Sequence, residues 1–115
     1  DYQKSDWRNA SQYQALHCSN SLRLYYIPGT EWGMLYYNPA LSSQKAQWWR
    51  DLLSSKPDVE ELEAALPKDY NQVCLVVGHV TNSMELNTIE SAIQKEFPQK
   101  AAKEFLDVEI ITYQK

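Results

Sequence analysis

The ten residues 71–80, NQVCLVVGHV, are apolar on both faces of an extended chain. A run of this kind reads as the central, buried strand of a sheet. It has to be flanked by other strands and covered by helices, and the remaining sequence is read for segments that supply them.

The first supplier is the segment 21–38, SLRLYYIPGTEWGMLYYN. Leu22, Leu24 and Tyr26 alternate with Arg23, Tyr25 and Ile27, which is the period of a strand. Pro28-Gly29 fits the centre of a turn, with Gly29 providing the positive φ that a type II turn requires. A four-residue loop over Pro28 to Glu31 suits the strand twist better than a bare two-residue connection. The expected β-hairpin collects Leu22, Leu24, Tyr26, Gly33, Leu35 and Tyr37 on one face. Arg23, Tyr25, Ile27, Trp32, Met34 and Tyr36 fall on the other, and a two-residue shift of register leaves this division unchanged.

Helical spacing follows. Residues 42–54 carry Ala46, Trp49, Leu52 and Leu53 on one side, with Trp48 on the shoulder. After Lys56-Pro57, Asp58 and Glu61 have the spacing of a capping box for a second helix over 58–66, with Val59, Leu62, Ala65 and Leu66 inward. Beyond the central strand, Leu86, Ile89, Ile93 and Phe97 form the strongest helical stripe, opened at Asn82 and stopped by Pro98. Residues 104–113 are expected as the last strand, with Leu106, Val108, Ile110 and Thr112 facing one way and Phe105, Asp107, Glu109, Ile111 and Tyr113 the other. The segment 5–15 has the thin apolar stripe of a short helix (Trp7, Ala10, Tyr13), capped by Ser5 or Asp6.

The expected fold is therefore a single α+β domain over residues 1–115, with 1–16 as an N-terminal segment. It is a two-layer sandwich: a mixed four-stranded sheet with helices on one face, ordered as β-hairpin, two helices and a β-α-β unit with parallel strands. Trp49, Leu53, Leu62, Ile89, Ile93, Val76, Val108 and Ile110 are expected in its core. Asp107 and Glu109 on one face of the last strand imply that this side meets solvent, because carboxylates are rarely buried without partners. Arg23, Tyr25, Ile27, Trp32, Met34 and Tyr36 then form an exposed aromatic binding surface. The competing arrangement folds the N-terminal segment over that face, with Trp7 and Tyr13 making it ordinary core.

Cys18 and Cys74 are the only cysteines and are expected to pair. Such a bridge closes a loop of more than fifty residues, worth ~4 kcal/mol on a chain-entropy account. Disulfides persist outside the reducing cytoplasm, so a periplasmic or otherwise extracytoplasmic location is expected. The sequence starts at Asp1 without a signal-peptide pattern, which fits a mature secreted chain or an excised soluble piece of a longer one. No apolar run approaches the ~20 residues of a membrane-spanning helix, so this segment is not expected to insert directly.

Other chemistries find little support. A net charge of −4 and scattered Lys and Arg argue against a nucleic-acid surface. His17, Cys18, Cys74 and His79 lack the knuckle spacing of a structural zinc site, and no metal or other cofactor is expected. The carboxylates Asp58, Glu60, Glu61 and Glu63 read as a solvated helix face. Three glycines make no phosphate cradle, and no nucleophile elbow is present, so no catalytic residue is assigned. Asn9-Ala10-Ser11 is a glycosylation sequon.

Size, a single cysteine pair and a mixed sheet are loosely similar to periplasmic portions of bacterial membrane-anchored regulators and to small secretion-accessory lipoproteins, a likeness no motif carries. The functional expectation is a non-catalytic extracytoplasmic interaction domain, the sensory or docking part of a membrane-tethered protein. It would bind a protein partner, as a hetero- or homo-oligomer through the hairpin face or edge, or an apolar small ligand. The alternative is a small acidic inhibitor or immunity-type protein that blocks a basic partner.

Overall fold

The computed structural model describes residues 6–26, 51–78 and 83–115. The elements in chain order are α1 (Trp7–His17), β1 (Leu22–Tyr26), a helical turn at 51–54, α2 (Val59–Ala65), β2 (Gln72–Val77), α3 (Ser83–Gln94), β3 (Gln99–Phe105) and β4 (Val108–Gln114). The fold is α+β, and the strands form one mixed four-stranded sheet in the order β1-β2-β4-β3. The second half of the expected hairpin and most of the expected helix at 42–54 lie outside the described residues.

The centre of the sheet is the strand its sequence predicts. From Val73 to Val77 every residue of β2 is buried, whichever face it points to. β1 runs parallel to it, with Leu22 beside Val73 and Leu24 beside Leu75. Local signals set α2, and the apolar stripe sets α3, as expected. Asp58 accepts from the Glu61 amide at 2.8 Å, and the Glu61 carboxylate accepts from the Asp58 amide at 3.2 Å, closing the capping box of α2. Leu62, Ile89, Ile93 and Phe97 are all buried against the sheet.

The last part of the chain departs from expectation. The single strand expected over 104–113 is two strands joined by a turn at Leu106 and Asp107. Asp107 adopts φ 60°, a left-handed conformation that Asp tolerates better than most residues. β4 consequently runs antiparallel to β2, not parallel to it. The parallel partner of the crossover is β3, which lies on the far side of β4. β2-α3-β3 is thus a split β-α-β unit with β4 inserted between its strands. The crossovers from β1 to β2 and from β2 to β3 step across the sheet in the same direction. Equal handedness therefore places α2 and α3 on the same face.

That face holds the main core, where Leu62 and Leu66 of α2 and Ile89, Ala92 and Ile93 of α3 pack on Leu22, Leu24, Tyr26, Val73, Leu75, Val77, Ile111 and Tyr113. Leu52 and Leu53 pack at its margin. The opposite face is covered as well, which corrects the expectation of helices on one face alone. α1 sets Ala10 and Tyr13 over Cys74, Val76, Val108 and Ile110. The physical reason is the sequence of β2, whose Cys74 and Val76 need cover as much as Val73 and Leu75 do. The carboxylates that imply an open face in the sequence do not mark one: the alternation does place Glu109 on one face with Ile111 and Tyr113, but that is the face of the main core. Asp107 sits in the turn, and Glu109 is half-buried at the end of β4, on the α3 side.

Candidate functional site

Of the residues expected to form a binding face, Arg23 and Tyr25 are described and project from β1 away from the main core. Ile27, Trp32, Met34 and Tyr36 lie outside the described residues. Arg23 Nε donates to the Cys18 carbonyl at 3.1 Å, and its Nη2 to that of Ser19 at 3.2 Å. The guanidinium thus occupies carbonyls beyond the C-terminus of α1, where a cation is electrostatically favoured. The hydroxyl of Tyr25 accepts from Gln14 Nε2 at 2.8 Å, and its ring packs in the smaller core under α1. Burial pushes the Tyr25 hydroxyl up to about 12, against lowering influences from Gln14 and Arg23.

Two further contacts hold α1 in place. Cys18 and Cys74 form a disulfide, both fully buried, that ties the end of the helix to the middle of β2. Tyr13 stacks on His17, with ring centroids 4.2 Å apart, and meets Phe105 edge-on at 5.8 Å. At the start of the helix, the Asp6 amide donates to the Leu106 carbonyl at 2.9 Å, anchoring it to the β3–β4 turn.

The opposite margin of the sheet is different. β3 is bonded to β4 along one edge, and Gln99 through Glu104 are exposed on both faces. Lys100, Ala102 and Glu104 project on the α3 side, and Gln99, Ala101 and Lys103 on the α1 side. Lys100 Nζ is 2.8 Å from Glu90 Oε2, and the same carboxylate accepts from the buried Tyr113 hydroxyl. Burial and the Glu90 charge hold that hydroxyl far above its usual range. Glu104 stands directly across from Glu109. Burial first, then the Glu104 charge, raise the Glu109 carboxyl above its ordinary value, with Lys100 opposing.

No family model, curated protein or solved structure matches this chain. Its chemistry is read from its own geometry. An open cleft of about 300 Å³ lies at the turn end of the sheet, lined by Val77, Gly78, Phe105, Val108 and the carboxylates of Glu104, Asp107 and Glu109. Among the described residues no group of His, Cys, Asp and Glu is arranged to hold a metal ion. His79 of the sequence-level Cys/His grouping lies outside them, and both cysteines are committed to the disulfide.

β3 is the feature that sequence reasoning missed. QKAAKEF has neither alternation nor β-branched residues, so nothing in it marks a strand. The available signal was Pro98 ending a helix, followed by seven residues before the Leu106-Asp107 turn, a length suited to one strand of a hairpin.

Proposed function

We propose that this chain is a non-catalytic interaction domain that works outside the reducing cytoplasm and binds a protein partner through strand addition at β3. The observation that carries the reading is the exposure of β3. Its seven residues are held in extended conformation by β4, and among the described residues no strand pairs with the backbone donors and acceptors along their outer edge. A partner strand gains backbone hydrogen bonds there without the domain having to reorganise. The buried Cys18–Cys74 bridge supports the compartment, since such bonds persist where thiols are not kept reduced. A docking part of a membrane-tethered protein fits both features.

The test is a photo-crosslinking amino acid placed at Lys103 on β3, with Glu60 on the exposed side of α2 as control. The expected outcome is a protein adduct from position 103 and none from position 60. Adducts from the control position alone would overturn the reading.

A further inference from the structure

We infer that the strand added to β3 is the β3 of a second copy of this chain, paired antiparallel about a two-fold axis at Ala102, so that two four-stranded sheets become one. The inference rests on the docking role proposed for β3 and identifies its occupant.

The argument is the order of charges along the strand. With Ala102 opposite its own counterpart, Lys100 of each chain lies directly opposite Glu104 of the other, twice by symmetry. Ala101 faces Lys103, and Gln99 faces Phe105. Every charged residue of β3 thus meets an opposite charge or a small side chain, and no like charges face one another. Directly opposed unlike charges stabilise a strand pair, whereas like charges destabilise it. Ala102 at the axis lets the two backbones approach without a steric barrier.

A second observation concerns Glu104. Within one chain it stands across from Glu109, and no ion pair of Glu104 is found among the described residues. This like-charge pair on adjacent strands is unfavourable as it stands. Self-pairing brings the second copy's Lys100 to the outer side of Glu104, across from Glu109, where no strand is found among the described residues. Lys100 keeps its own Glu90 contact, so each lysine bridges a carboxylate of its own chain and one of its partner. Lysines on an edge strand ordinarily discourage foreign strands. Here their positions favour a strand carrying glutamate at the matching place, which this chain itself provides.

A single strand pair of this length buries less than the ~1,200 Å² of a standard stable interface, so the dimer is a reversible one that forms at high local concentration. Analytical ultracentrifugation of the full chain over a concentration series should show monomer and dimer in exchange. Glu104→Lys alone and Lys100→Glu alone each create two like-charge pairs, and each should weaken self-association by about ten-fold. Mixed together, the two variants restore both unlike pairs and should form a one-to-one heterodimer more readily than either pairs with itself. Amide exchange provides a second readout on the unaltered chain: β3 should slow with rising concentration while α2 does not. A chain that remains monomeric at ~1 mM, or a dimer that neither charge variant weakens, overturns the inference. If the chain is monomeric yet position 103 crosslinks to a different protein, the self-pairing fails and the docking role of β3 stands. If position 103 yields no adduct of any kind, the docking role fails with it.

Discussion

Gln14 Nε2 on α1 donates to the Tyr25 hydroxyl on β1 at 2.8 Å, and the other amide atom of Gln14, Oε1, is buried without a partner. A fully buried glutamine with half its amide unsatisfied is costly, so this contact is where α1 is most sensitive to substitution. Tyr25→Phe removes the acceptor and should lower stability by about 1–3 kcal/mol in urea denaturation. Gln14→Leu removes the unpaired oxygen together with the donor. The double variant should therefore lie closer to the original chain than Tyr25→Phe alone. Additive losses would show that the two side chains do not act as a pair.

The disulfide is the covalent counterpart of that contact. Cys18 and Cys74 are separated by 56 residues and both are fully buried. Replacing both by Ala should cost ~4 kcal/mol, mostly by freeing the unfolded chain. Titration of the unfolded, non-reduced protein should find no thiol. Two titratable thiols under those conditions would contradict the bridge and the compartment argued from it.

In the main core, Ile93 is fully buried between α3 and the sheet. Ile93→Ala should cost ~2–5 kcal/mol, the range for large-to-small changes in packed interiors. Leu16, on the outer side of α1 and 78% exposed, is the control. Leu16→Ala should change stability by less than ~0.5 kcal/mol. A small loss at Ile93 would mean that α3 does not pack as described.

These sites also show which parts of the fold can be read from sequence. β1 and β2 are legible because burial leaves its period in the chain: alternation where one face packs tightly, a continuous apolar run where both do. α2 is legible from its capping residues, and α3 from its stripe. α1 carries a weaker record, because its buried face includes Ser11 and Gln14 and so looks polar. That hides its role as the cover of the second face, and leaves Tyr25 looking available when it is packed beneath a helix. β3 leaves no record in hydrophobicity, since backbone bonds to β4 hold it with little side-chain burial. The candidate docking edge is hardest to read for the reason it is exposed. Without β3, the Phe105-to-Tyr113 alternation runs straight through a turn, and the orientation of the last strand is misassigned.

Glu109 gives the chain a pH dependence whose sign can be worked out. In the unfolded chain its carboxyl has the ordinary value of 4.5, and in the fold burial and the facing Glu104 raise it. Well below pH 4.5 the carboxyl is protonated in both states, and it costs nothing. As the pH rises through the window up to the folded value, the fold retains a proton that the unfolded chain has lost, so this group's contribution to stability falls. Above the folded value the whole penalty is present. Glu109→Gln should therefore match the original chain in acid and become the more stable of the two as the pH rises, the gap levelling off above the window. Glu104→Gln should narrow the penalty without abolishing it, because it removes the facing charge and leaves the burial. The measurement is urea denaturation from pH 3.5 to 7 at concentrations low enough to keep the chain monomeric, a range set to span ~1 unit below the ordinary glutamate value and well above it. A stability difference that is constant across the range, or one in which Glu109→Gln is the less stable at neutral pH, would rule out an unfavourable carboxylate at this position.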